Sequence, residues 1–350
     1  VDFDLGLVNK GLGRYDRAIH FFRKYIAAHR GELALTELAK LEIESCEWAM
    51  EMVQNSSSAR AKRLSDEVNS QNSEFAPVRF AERLYFTSYD RADTSDNPLS
   101  RIFSSVKGYE ITSWEKTSAD SGLHSSNLVL TVDARRMYFT ICKSTEQVYE
   151  YECEIWYRDR NYEGTWAKPK RLPNFINLDS VSTTMPSIGW DRFLEKEVLY
   201  FASDRPGGKG GMDIWFSIIE PDGKFGKPVC LPFNTPQDDV TPYFHQATQT
   251  LFFSSAGMEN FGGFDIFRAV KTGADAWAKP KNLGYPLNSS DDELYYFFHS
   301  GEQMGYFASN RPGTNFRDSI HDRTCTDIYV APVKIDLEAW TFSTLDSSDL

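Results

Sequence analysis

Leu199-Tyr200-Phe201-Ala202-Ser203-Asp204-Arg205-Pro206-Gly207-Gly208-Lys209-Gly210-Gly211-Met212-Asp213-Ile214-Trp215 is the stretch whose reading decides the fold. Leu199 to Ala202 is apolar and aromatic, as a buried strand requires. Pro206 and the glycines behind it cannot continue a ladder, so the chain turns there. Asp213-Ile214-Trp215 begins the return strand. The unit recurs as Leu251-Phe252-Phe253-Ser254-Ser255 with Asp265-Ile266-Phe267, and as Gly305-Tyr306-Phe307-Ala308-Ser309 with Asp327-Ile328-Tyr329. Weaker copies are Leu84-Tyr85-Phe86 with Arg101-Ile102-Phe103, and Met137-Tyr138-Phe139 with Glu154-Ile155-Trp156. Repeats at a fixed period signal a repeat architecture.

Two further strands complete each unit. Trp166-Ala167-Lys168-Pro169, Phe225-Gly226-Lys227-Pro228 and Trp277-Ala278-Lys279-Pro280 each lead into a Leu-x-x-x-x-Asn frame, as in Leu283 to Asn288-Ser289. The aromatic residues at 85, 138, 200, 252 and 306 are separated by steps of 53, 62, 52 and 54. Four strands per step, repeated five times, predict a mainly β chain: a five-bladed β-propeller of four-stranded blades. Lys62 to Ser70 carries the Leu-x-x-x-x-Asn-Ser frame ahead of the first inner strand. It is expected to close the last blade, in preference to the segment around Trp340. Trp156, Trp166 and Trp277 are expected between blades, and Asp213, Asp265 and Asp327, at one register, are expected to be structural.

Residues 1–57 read as helical. Leu12-Gly13-Arg14-Tyr15-Asp16-Arg17-Ala18 and Phe22 match the order of small and aromatic residues in a tetratricopeptide repeat. Leu35, Leu38, Leu41, Cys46, Ala49 and Val53 follow at helical spacing. The expected division is a helical segment at 1–57, the propeller at 58–333 and a linker or tail at 334–350.

The repeat resembles the WD-like, TolB-like propeller repeat. A tetratricopeptide segment ahead of such a propeller resembles the Bacteroidota OmpA-family envelope proteins. That resemblance implies a periplasmic protein associated with the outer membrane. It implies a non-enzymatic scaffold for envelope proteins of a type IX secretion machine, with peptidoglycan reached only through domains this chain does not carry. The alternative is a carbohydrate-binding or glycan-acting propeller.

Bulk composition narrows the classes. The chain has 350 residues, 41% of them hydrophobic and 14% aromatic, and a net charge of −12. So acidic a chain lacks the basic face that nucleic acid needs. No apolar run approaches the ~20 residues of a membrane-spanning helix. There is no Gly-x-Ser-x-Gly and no His-Glu-x-x-His, and the five cysteines form no Cys-x-x-Cys. No catalytic residue, metal or cofactor is called for.

In a propeller, the turns between second and third strands share a face with the links between blades. Glu74, Asp204, Arg205, Asp238, Asp239, Asp291, Asp292, Glu293, Asn310 and Arg311 are therefore expected on one rim. It could bind a partner or a cation, or its acids could satisfy loop backbone. Cys142 and Cys153 fall opposite one another in the hairpin of the second blade. Either they form a disulfide, which a periplasmic location permits, or they are two buried thiols.

Overall fold

The computed structural model describes residues 1–29, 33–54, 60–89, 98–106, 110–113, 122–145, 151–314, 317–318 and 323–333. The expected tail at 334–350, with Trp340, lies outside them. Five four-stranded antiparallel sheets form the propeller. Blade 1 is Glu74–Phe80, Arg83–Tyr89, Ser100–Val106 and Glu110–Ser113. Blade 2 is His124–Leu130, Arg136–Ser144, Tyr151–Asp159 and Lys170–Arg171; blade 3 is Thr183–Asp191, Lys196–Ser203, Asp213–Ile219 and Val229–Cys230. Blade 4 is Asp239–His245, Thr250–Ser255, Asp265–Val270 and Lys281–Asn282. Blade 5 is Glu293–His299, Met304–Ser309 and Asp327–Pro332, and its outer strand is Lys62–Arg63, paired Lys62 to Val330. The ring thus closes as the sequence predicted, and the radial arrangement leaves only short sheet edges.

One recurring side chain explains the repeated frame. Asn69, Asn177, Asn234 and Asn288 are buried, and each amide exchanges two hydrogen bonds with the backbone of a third-strand isoleucine. The side chain extends the short outer strand by one backbone-like pair, so no buried peptide group is left unpartnered there. Apolar clusters fill each blade junction. Tyr138 and Ile155 meet Leu199, Phe201 and Trp215 between blades 2 and 3; Trp277 packs among blade 3 and 4 residues, and Trp156 and Trp166 among blade 1 and 2 residues.

Three helices precede the propeller: α1 (Asp2–Gly11), α2 (Tyr15–Ala28) and α3 (Leu33–Gln54). Gly13 breaks the run at φ 66°, so the Gly-x-Tyr motif starts α2 and is not part of a helix with residues before it. Gly6 lets α1 approach α2 closely: a Cβ there would lie 2.4 Å from the Phe22 ring. The helices dock on the second-to-third-strand turn of blade 4. Trp48 packs on Phe261 at 4.8 Å, and the buried Lys10 ammonium bonds Glu42 and Asn260. No helix among the described residues is long and apolar enough to cross a membrane.

Candidate functional site

The expected rim exists, but its acids serve the scaffold. Glu74 accepts from the Ser70 N–H at 2.9 Å and from the Ser88 hydroxyl, and Asp239 accepts from the Thr235 N–H. Glu293 accepts from Ser289, Ser309 and Arg311. Glu74, Asp239 and Glu293 are fully buried. Burial pushes the Asp239 carboxyl up to about 6 and raises that of Glu293. Arg205 is also buried, donating to Ser203, Thr183 and the Phe175 and Ile176 carbonyls. Arg311 does the same with Ser309 and the Pro286 and Leu287 carbonyls.

Asp204, Asp238 and Asp292 accept the N–H groups of Ser182, Met212 and Phe264, and Asn310 donates to Asp292. Asp291 and Asp292 lie beside α1, across a cleft shared with Leu7, Lys10 and Gly11. The expectation of a partner-binding rim is corrected on this ground for Glu74, Asp239 and Arg205, which no partner can reach. Asp213 and Asp265 fasten their turns, accepting from Lys209 and Gly210 and from Phe261 and Asn282, and Asp327 pairs with Arg63.

Among the described residues the axial pocket carries no carboxylate either. Each inner strand carries an irregularity at a residue with positive φ: Ala76, Asn127, Met185, Thr241 and Tyr295. Pro77, Pro186 and Pro242 follow three of them, as prolines do at bulges. The resulting pocket holds about 50 Å³, is mostly apolar, and no carboxylate lines it among the described residues.

Sequence reasoning missed the third place. On the face of the first-to-second-strand hairpins, an open pocket of about 480 Å³ lies between blades 2 and 3. It is lined by Thr131, Asp133, Arg135, Arg136, Tyr138, Asp159 and Glu197. The blade 2 hairpin sets Asp133: its Oδ1 accepts from the Thr131 hydroxyl at 2.7 Å and from the Arg135 N–H at 3.0 Å. Those two bonds hold the exposed Asp133 carboxylate below the usual range. Glu197 enters from the second strand of blade 3. Burial and then the Asp133 charge raise its carboxyl above the usual range, against the pull of Arg136.

The floor of this pocket is fixed. Arg136 donates to Asp159 at 2.7 Å, its guanidinium lies 4.5 Å from the Tyr157 ring centroid, and it bonds the Tyr138 hydroxyl. Tyr138 is buried, which pushes its phenol up to about 12 despite that bond, so it stays a neutral hydrogen-bonding group. Two carboxyls whose environments drive them apart, one toward the acid and one toward the anion, are the arrangement that acid–base chemistry uses.

No family model and no curated protein matches the chain. Solved structures do. An alpha-L-arabinofuranosidase from Lactobacillus brevis is similar with a TM-score of 0.51 at 14% identity, over 77% of this chain and 94% of that one. An endo-arabinanase from Bacillus licheniformis has a TM-score of 0.49 at 11% identity, over 80% and 98%. At such identity the likeness shows the fold alone. It corrects the expectation of a non-enzymatic scaffold to this extent: an alpha-L-arabinofuranosidase has this fold, so the fold gives no ground for setting an enzyme aside. The missing motifs of other hydrolase folds therefore do not argue against an enzyme here. The envelope-family resemblance rests on the repeat motifs and the helical segment ahead of them, and no comparison supports it.

Proposed function

We propose that the chain is a glycan-acting propeller whose site is the pocket between blades 2 and 3. The observation that carries this reading is the Glu197–Asp133 pair in one open, polar pocket. A pocket of about 480 Å³ suits a small ligand or part of a longer one. Glycoside hydrolysis needs two carboxyls flanking the scissile bond, one protonated and one ionised. Glu197 has the environment of the acid: its proton passes to the glycosidic oxygen as the bond to the anomeric carbon breaks. Asp133 has the environment of the anion. It either attacks that carbon or takes a proton from the water that does, and the anomer first released reports which. Arg136, held by Asp159 and Tyr138, limits the rise in the Glu197 carboxyl and fixes the pocket floor. The arabinofuranosidase likeness supports the substrate class and does not place the site.

The same reading keeps an oxidising compartment such as the periplasm. Cys142 and Cys153 are disulfide-bonded, with Cα atoms 4.1 Å apart, and such bonds persist where thiols are not kept reduced.

Release of reducing sugar from a panel of aryl glycosides and plant and microbial polysaccharides tests the proposal. Glu197→Gln is expected to lower kcat by about 10²–10⁴-fold, the usual contribution of a general acid. Activity in the unmodified protein should fall at high pH as Glu197 deprotonates, at a pH above that of an ordinary glutamate. It should fall at low pH as Asp133 protonates. The Gln variant should lose the alkaline limb. No turnover across the panel, or full activity in Glu197→Gln, rejects the reading.

A further inference from the structure

Two exposed aromatic rings stand on either side of the carboxylate pocket, and neither is needed by the blade packing. Trp190 is 48% exposed, near the end of the inner strand of blade 3. It pairs directly with Glu197 across the hairpin, so the two side chains leave the sheet on the same face. That face looks toward blade 2, because Ile188 and Leu199, the next pair but one, pack against Tyr138 and Ile155. The Trp190 backbone is fixed by the blade 4 hairpin: its N–H donates to Gln246 and its carbonyl accepts from Gln249, each at 2.9 Å. A large apolar ring held half in water on a rigid hairpin is a contact surface without a partner in this chain.

Tyr162 stands at the other end. It is 95% exposed, in the turn after the third strand of blade 2. Arg135, which lines the pocket, places its guanidinium 5.1 Å from the Tyr162 ring centroid. The turn is closed by Gly164 N–H to Asn161 and tied to the blade 2 hairpin by Arg160 N–H to Arg135, at 2.7 Å. Trp190 lies on an innermost strand, paired with the pocket residue Glu197, and Tyr162 lies beyond a third strand, against the pocket residue Arg135, so the topology puts them toward the inner and outer ends of the Glu197–Asp133 pocket.

We infer that the space between them is a groove for a linear, neutral polysaccharide, with Trp190 and Tyr162 stacking sugar rings on either side of the bond held at Glu197 and Asp133. The inference deepens the glycan-acting reading of that pocket and rests on it. A sugar ring offers an apolar face of C–H groups, which an aromatic plane covers with loss of water from both. Charge selects the neutral chain. Arg135 and Arg136 balance Asp133 and Asp159, and Glu197 brings no positive charge, so no net field favours an acidic chain. Two rings on opposite sides of the pocket suit a substrate that continues past the site both ways, which is internal cleavage of a chain and not removal of a terminal sugar.

Affinity electrophoresis of the full chain tests this, in native gels cast with soluble xylan, mixed-linkage β-glucan or galactomannan. Retardation in at least one gel is expected. Tyr162→Ala and Trp190→Leu should each weaken it by about fivefold or more, as loss of one stacked ring implies. Tyr162 is so exposed that its removal should leave the thermal midpoint unchanged, and this keeps the test readable if Trp190→Leu unfolds. No retardation of the unmodified protein in any of these gels overturns the inference, as does retardation that both variants retain. Glu197→Gln is run alongside. If it grips the chain through both rings while no variant or unmodified protein cleaves any glycan, the groove stands and the hydrolytic reading falls.

Discussion

Replacing Lys271 by methionine should loosen the hairpin that carries Trp190 and Glu197. Lys271 follows the third strand of blade 4, and its ammonium pairs with Asp191 at the tip of the blade 3 hairpin. The side chains are 1% and 0% exposed, so neither charge has water as a substitute partner. Asp191 also accepts the N–H groups of Phe193 and Leu194, at 2.9 and 3.1 Å, and so shapes the hairpin tip. Methionine keeps the stem beside the Trp277 and Phe216 rings, which lie 5.3 and 5.7 Å from the ammonium. What is lost is the compensation of a buried carboxylate. Removing one partner of such a pair costs about 3–5 kcal/mol. At about 2 °C per kcal/mol for a large domain, the midpoint should fall by about 6–10 °C. Asp191→Asn in the same chain removes the charge and keeps an oxygen for the two tip N–H groups, so the double variant should recover about 2–3 kcal/mol of the loss. Urea unfolding followed by far-UV circular dichroism reads both numbers, and glycan turnover should fall and recover in parallel. A single variant within about 1 kcal/mol of the unmodified protein, or a double variant no better than the single, would refute this account of the pair.

Two further outcomes follow from single contacts. Cys142→Ser with Cys153→Ser opens a loop closed over a separation of 11 residues, which should cost about 3 kcal/mol; a urea midpoint unaffected by the change, or by reductant, would show that the bond adds nothing. Asp239 has its folded carboxyl near 6 against an ordinary 3.8, so the native state holds the proton more tightly. Its contribution is full below about pH 4 and lost as pH rises through 6, about 3 kcal/mol in all, and Asp239→Asn should flatten that part of the stability–pH curve.

The propeller was legible because its signals are local and repeated. Leu-Tyr-Phe and Asp-Ile-Trp strands need only alternate around a glycine turn, and the Leu64 to Asn69 frame announced its pairing partner by likeness to Leu283 to Asn288. The structural reading of Asp213, Asp265 and Asp327 also held, since one residue at one register in several blades serves the blade. The rim was legible as a place and misread as a surface at Glu74, Asp239 and Arg205, which are buried. Sequence puts Glu74 and Asp239 in the right loops, but only coordinates show that their oxygens face backbone N–H groups and not solvent. The pocket was not read at all. Glu197 and Asp133 come from different blades, and no spacing along the chain links them. One trace was present: the step of 62 between Tyr138 and Tyr200 exceeds the others, and four of the extra residues lie in the blade 3 hairpin that carries Glu197, where Ser187 pairs with Tyr200 across 13 positions and Tyr243 in blade 4 with Phe252 across 9.

That extra length reshapes one face of the propeller. In blades 4 and 5 the first hairpin ends with the pairs His245–Thr250 and His299–Met304. In blade 3 the matching pair is Gly189–Val198, and the ladder runs on through Trp190–Glu197 and Asp191–Lys196. Gly189 is what permits the extension to lie against blade 4, since a Cβ there would sit 2.8 Å from the Phe244 ring. Asp191 then anchors the new tip to Lys271, and Gln246 and Gln249 hold Trp190 from the neighbouring hairpin. The opposite face is built differently. Its turns carry the carboxylates that tie each blade to the next, and the docked helices cover part of blade 4 there. Two added pairs on the hairpin face therefore set the partly buried Glu197 directly beside the half-exposed Trp190.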